Sequence, residues 1–280
     1  MSGAARRGVA RVCDRFSRDP VGRVAGSRSE DHELSHERNG QQEFTLQPLT
    51  RYPARLLGIA VRGAKRLLGR DRHAFLRRVS GVIHVGANSG QERDLYARHD
   101  LDVVWIEPIP EVFLQLERNL ATYPRQRAFQ YLVTDKDNEQ YTFHIASNNG
   151  GSSSILDMRL HKRIWPQVHY ERSIQLHSIT LDSFVKRQNL DLDKYDALIM
   201  DTQGSELLVL TGAASLLNRF KYIKTEVPDF ESYSGCPTVR DIEGFLSAHG
   251  FRECSRKQFA SMDGVGAYYD IIYRRLQRPL

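Results

Sequence analysis

From residue 80 onward, short apolar runs rich in β-branched residues alternate with stretches whose apolar positions recur every three or four residues. The runs GVIHVG (81–86), LDVVWIE (101–107), AFQYLVT (128–134), YDALIMD (195–201) and FKYIKTEV (220–227) predict buried strands. Residues 91–99, 110–123, 180–188, 205–213 and 238–250 predict helices; in the second, Val112, Phe113, Leu116 and Leu120 share one face. QYTFHIA (140–146) and RSIQLHSI (172–179) alternate apolar with polar and read as antiparallel strands, and NNGGSSS (148–154) reads as a loop. FRECS (251–255) and AYYDIIYRR (267–275) follow one another with no room for a helical crossover, so they are antiparallel neighbours at a sheet edge. Strands alternating with helices predict an α/β, Rossmann-like fold over 80–275, a mostly parallel sheet with helices on both faces and an antiparallel edge pair.

The first 79 residues break this pattern. Residues 1–50 are rich in Arg, Ser, Gly, Asp and Glu and lack apolar periodicity, which predicts a disordered basic/polar tail. Residues 51–79 form a separate region, in which 54–69 read as a basic amphipathic helix. Such a helix docks on its own domain, or weakly on a membrane surface or a partner. The early arginines suggest a transit peptide, but Asp14 and Asp19 interrupt them and acids follow at Glu30, Asp31, Glu33 and Glu37. No apolar run approaches the roughly 20 residues of a membrane helix.

Charge separates the same two parts of the 280-residue chain. Residues 1–80 carry 17 Lys/Arg and 8 Asp/Glu, a surplus of +9, whereas residues 81–280 carry 23 and 26, giving −3. The net +6 therefore belongs to the N-terminal part, and the domain itself is not expected to bind nucleic acid. The cysteines, Cys13, Cys236 and Cys254, are few and never spaced as CxxC, so neither a disulfide framework nor a zinc site is expected and a cytoplasmic location is the default. No clustered metal ligands are evident.

In an open α/β sheet, ligands bind beyond the C-terminal ends of the strands. Gly86-Ala87-Asn88-Ser89-Gly90 follows the first strand, where glycines permit a tight turn, and Glu107 ends the second strand about 20 residues on, where an acid accepts from ribose hydroxyls. A glycine turn and an acid at that spacing indicate an adenosine-type cofactor. Each feature alone has an ordinary structural explanation.

VIHVGANSG (82–90), WIEPIPEVFLQLERNL (105–120), TLDSF (180–184) and IMDTQGSELLVLTGA (199–213), in this order, resemble the FkbM family of S-adenosylmethionine-dependent methyltransferases. The resemblance implies the class I methyltransferase sheet of seven strands and methyl transfer to a hydroxyl of a small-molecule or glycan acceptor, such as a sugar or secondary metabolite. It implies that His84, Gly86, Ala87, Asn88 and Gly90 surround the methionine end of the cofactor and that Glu107 holds the ribose. Thr134 or Asp135 would lie near the adenine, and Ser153 and Ser154 close to the active site. Asp201 and Glu226 would be the catalytic acids, with Glu206 beside them and His84, His144 and His177 as alternative bases. Two positions depart from the family pattern. His84 stands where Asp is common, and a protonated imidazole would repel the cofactor's ammonium, so weaker cofactor affinity at low pH is expected. Gln203 replaces the usual Glu after the strand-end Asp. These departures sustain an alternative, a non-catalytic cofactor-binding or docking protein with the same fold. An RNA acceptor is a third reading, disfavoured by the few aromatics in residues 1–80. The segment 157–172, with Arg159, Lys162, Arg163, Arg172, Trp165 and Tyr170, reads as a lid over an anionic or sugar acceptor, or as a solvated helix with one buried Trp.

Overall fold

The computed structural model describes residues 73–276. The predicted tail, the amphipathic segment 54–69 and Cys13 lie outside them.

Apolar β-branched residues that bury both faces form the centre of a seven-stranded sheet. β1 (Gly81–Val85) is buried at every position, and β2 (Asp102–Ile106) at all but its first. β3 (Gln126–Phe129) pairs with β2, β7 (Ala197–Met200) with β1, and β8 (Tyr222–Pro228) with β7, all in parallel. β10 (Gly266–Arg275) runs antiparallel to β8 and to β9 (Phe251–Met262), giving the order β3-β2-β1-β7-β8-β10-β9. This is the expected seven-stranded sheet with its antiparallel edge pair.

Helices cover both faces. On one, α1 (Arg93–Arg98), α2 (Pro110–Leu120) and a 3-10 turn at Ala74–Arg78 bury Tyr96, Leu116, Leu120, Phe75 and Leu76 against Val82, Val103 and Trp105. On the other, α4 (Leu181–Arg187), α5 (Glu206–Thr211) and α6 (Val239–Ala248) pack Phe184, Val209 and Ile242 onto Ile83, Val104 and Leu198. Each fully buried side chain of this size contributes roughly 1.5–3 kcal/mol. Trp105 is buried because its indole N–H finds Gln126 Oε1 at 3.0 Å. Thr180 caps α4, and Thr238 with Asp241 forms a capping box at α6.

Two predictions differ from the structure. The run 128–134 is not one strand. After β3 the chain turns through Gln130 and Tyr131, and β4 (Leu132–Val133) joins a separate sheet of order β4-β6-β5 with β5 (Gln140–Ala146) and β6 (Tyr170–Ile179). β9 continues past Ser255 to Met262, since its pairing with β10 persists where side chains are exposed. The small sheet buries Leu132, Phe143 and Ile145 with Ile109 and lies near the C-terminal ends of β1 and β2. A short helix, α3 (His161–Ile164), follows the 147–154 loop.

The sheet order reverses between β1 and β7, and this junction is tight. Gly86 has φ 80°, and a Cβ there would sit 1.9 Å from the Asp201 carbonyl oxygen. Gly244, at an exposed position of α6, has nothing within 4 Å of such a Cβ. Gly86→Ala is expected to destabilise by at least about 2 kcal/mol, while Gly244→Ala stabilises by about 0.5–1 kcal/mol. Urea unfolding of the two variants measures these opposite signs.

Candidate active site

The turn after β1 is fastened to the end of β2. Gly86 and Ala87 donate their N–H groups to the Ile106 carbonyl at 3.0 and 3.1 Å. Asn88, at φ 45°, donates its N–H to Glu107 Oε2 (2.8 Å), and Ile109 donates to Glu107 Oε1 (2.9 Å). The Asn88 side chain reaches the Asn149 carbonyl at 3.1 Å, joining the turn to the 147–154 loop. Glu107 is 4% exposed. Loss of water raises its carboxyl to about 7, although both backbone donors act in the opposite direction.

Asp201 follows β7 and donates its N–H to the Val85 carbonyl. Its Oδ1 accepts from Gln203 Nε2 at 2.7 Å, and the same nitrogen lies 3.4 Å from Glu226 Oε1. Burial raises Asp201 to about 6 and moves Glu226 well upward, with Asp201 itself the next cause for Glu226. Glu206 takes a different part. Its carboxylate accepts from the N–H groups of Thr202 and Gly204 and from the Thr202 hydroxyl, closing the turn that presents Asp201 and Gln203. Burial raises it to about 7.

These two strand ends wall a cavity of about 230 Å³. Of the residues expected at a cofactor site, His84, Gly86, Ala87, Asn88, Glu107 and Asp201 line it. Ser153 also lines it, with its hydroxyl accepting from the Ala146 N–H. Several expected residues lie elsewhere. Gly90 faces Leu116 of α2. Thr134 is fully buried with its hydroxyl bonded to the Lys136 backbone, and Asp135 follows it against Gly212, because the break after β3 carries both to the small sheet. Ser154 donates to the Gln203 carbonyl (2.7 Å) behind the wall. Glu226 lines a neighbouring cavity that Asp201 and His84 share. His144 stacks on Tyr170 and bonds Ser173, and His177 lies on the small sheet. The 157–172 segment does not reach the cavity: Arg159 pairs with Glu231, Arg172 with Glu111, and Trp165 packs between His161 and Tyr268.

His84 corrects one expectation. Its ring stacks on Trp105 at 4.9 Å and its Nδ1 meets the Tyr96 hydroxyl at 3.1 Å. Burial lowers it to about 4, so the imidazole is neutral between pH 5.5 and 8 and does not repel an ammonium there. The groups raised into that window are carboxyls, Glu107, Glu206 and Asp201, and of these Glu107 is the one at the ribose position. Sequence reasoning missed the apolar wall of Ile109, Tyr131, Leu132, Val133 and Phe143, and the polar pair Gln91 and Glu92. Leu132, Val133 and Phe143 come from the small sheet, Ile109 and Tyr131 from the segments beside it, and Gln91 and Glu92 directly precede α1.

The donor set suits an adenosine cofactor bearing a methionine end. Glu107 is a buried acid with only two donors, so its remaining lone pairs can accept a ribose diol. The flat apolar wall suits a base, and Glu92 suits an ammonium. Among the described residues no group of three or more His, Cys, Asp or Glu is arranged to hold a metal ion. No described helix is long and apolar enough to cross a membrane.

Residues 84–253 match the Methyltransferase FkbM domain. The chain is 27% identical over 173 residues to the 2-O-methyltransferase NoeI of Sinorhizobium fredii (strain NBRC 101917 / NGR234), covering 59% of this chain and 70% of that one. Among solved structures it is similar to TrmK of M. capricolum in complex with S-adenosyl-homocysteine, at 8% identity and TM-score 0.41, covering 72% and 68% of the two chains. It is also similar to the precorrin-6y C5,15-methyltransferase of Geobacter metallireducens, at 10% identity and TM-score 0.37, covering 70% and 79%.

Glu107, Glu206 and Asp201 hold protons in the folded chain to a higher pH than in the unfolded one. Their stabilising contribution is complete below about pH 4 and is lost as pH rises through 6 to 7. Buried His84 and His161, both lowered to about 4, oppose this only below their ordinary value of 6.5. The melting temperature of the ligand-free protein is therefore expected to be higher at pH 6 than at pH 8, as scanning calorimetry at the two values would show.

Proposed function

Since this chain belongs to the FkbM family of methyltransferases and takes S-adenosylmethionine as its methyl donor, we propose that it methylates a hydroxyl oxygen of a sugar or secondary-metabolite acceptor. The observation that carries this reading is Asp201, a half-buried carboxylate on the cavity wall whose Oδ2 has no hydrogen-bond partner among the described residues. The oxygen specificity of NoeI supports the same choice. The −3 charge of residues 81–280 supports an acceptor other than nucleic acid.

When bound, the cofactor supplies an electrophilic methyl group on a sulfonium centre, and the protein needs chiefly to align the acceptor and take its proton. Glu107 holds the ribose, and the turn 86–88 with Glu92 holds the methionine end. Tyr131, Leu132 and Phe143 cover the base and exclude water. Asp201 accepts the hydroxyl proton at Oδ2; its value near 6 leaves it ionised at neutral pH yet basic enough for the transfer. The non-catalytic alternative rested on His84 and Gln203. His84 is neutral, and Gln203 is bonded into the Asp201 turn, so neither favours it.

Calorimetry of the full chain with S-adenosylmethionine is expected to show binding that weakens as pH falls from 8 to 5.5. In Glu107→Gln the affinity should be at least tenfold lower and its fall between pH 8 and 5.5 smaller, with Asp201 as the remaining titrating acid on the cavity wall. Wild-type binding that does not change with pH would remove Glu107 from the ribose site. With labelled cofactor and a panel of glycans and hydroxylated metabolites, mass spectrometry should locate the methyl on oxygen. Asp201→Asn should then lower kcat by about 10²-fold or more; transfer to nitrogen or carbon would overturn the proposal.

A further inference from the structure

Gln203 occupies left-handed backbone at φ 51°, next to Gly204 at φ 102°. A non-glycine residue in this region is held there by its surroundings, and Gln203 is anchored at every polar atom of its carbonyl and side chain. Its main-chain carbonyl accepts from Ser154 Oγ (2.7 Å). Its Nε2 donates to Asp201 Oδ1 (2.7 Å) and faces Glu226 Oε1 (3.4 Å), and its Oε1 accepts from the Tyr233 hydroxyl (2.8 Å). Ionised Asp201 only accepts, so the NH₂ end must face it, and buried Tyr233 fixes the oxygen on the other side.

We infer that Gln203 is the positioning residue of the methyl-transfer site: its amide holds Asp201 by Oδ1, leaves Oδ2 free for the acceptor, and places positive hydrogens between Asp201 and Glu226. This inference rests on the reading of Asp201 as the base. The other groups around that carboxylate are Glu226, Lys224 and Asp270 from the sheet, Glu92 just before α1, Glu206 from α5 and His84 from β1. Lys224 is paired with Asp270 at 2.8 Å. Without the Gln203 amide, carboxylates therefore dominate the field at Asp201, which would keep its proton to higher pH and fail as a base at neutrality.

The test is a titration of the Asp201 side chain in the full chain, with ¹³C-labelled aspartate assigned by difference from Asp201→Asn. Gln203→Met removes the amide at similar length, and Gln203→Glu adds a third carboxylate. Tyr233→Phe frees the amide oxygen and touches neither acid. The midpoint, near 6 in the wild type, is expected to rise by about one pH unit or more, a tenfold gain in proton affinity, in both Gln203 variants. A smaller rise is expected in Tyr233→Phe, which keeps the test available if the Gln203 variants do not fold. A residue that merely shapes the turn would lower the melting temperature and leave the midpoint in place. A midpoint within about 0.3 units of wild type in the folded variants overturns the inference. Calorimetry of the wild type with S-adenosyl-homocysteine is run in parallel; its failure would count against the methyltransferase reading and not against the role of Gln203 in the Asp201 titration.

Discussion

Glu107 receives one backbone hydrogen bond from Asn88 and one from Ile109, and through these the turn after β1 and the start of α2 are fixed to the end of β2. Most of the site depends on this arrangement. It sets the course of 86–88, brings Asn88 to the Asn149 carbonyl, and so seats the loop that carries Ser153. The acid is buried at a net cost that two amide donors offset only in part, which leaves it in need of more donors. A diol supplies them. Stability and ligand binding are thereby linked in one side chain: the proton that relieves the ligand-free protein is the one that must leave for the ribose to be gripped.

The large sheet was legible because its central strands are buried on both faces and appear as short runs such as GVIHVG and YDALIMD, each followed by a glycine turn or an acid. The cofactor residues at those strand ends were legible for the same reason, since position after a strand is a local property. The split after β3 was not. Gln130 and Tyr131 carry neither glycine nor proline, and the two-residue β4 is defined only by its pairing with Ser178 and Ile179, more than 40 positions away. That one missed break also misplaced Thr134 and Asp135. The extension of β9 was hidden because its exposed side chains show no alternation.

Contacts between distant segments were the other blind spot. Gln203 looked like a loss of charge beside the strand-end acid. In the folded chain it meets Tyr233, 30 positions on, and Glu226, 23 positions on, and supplies the amide of a polar group otherwise made of acids and a phenol. The histidines misled in the opposite direction. His84 sits at the cavity, but its stack on Trp105 and its bond to Tyr96 make it a neutral wall element.

The β9–β10 hairpin has a consequence of its own. β9 is the outermost strand, twelve residues long, and its outer rim offers unpaired backbone groups to any other extended chain. It carries Arg252, Arg256 and Lys257, and its register with β10 shifts twice, near Tyr268 and near Ile272. Repelling charge and a bent rim are what a sheet requires if it is to remain open-edged without growing by strand addition from a second molecule. The same sequence feature that hid the end of β9 from periodicity, a solvent-facing and irregular strand, thus disfavours strand addition at this edge.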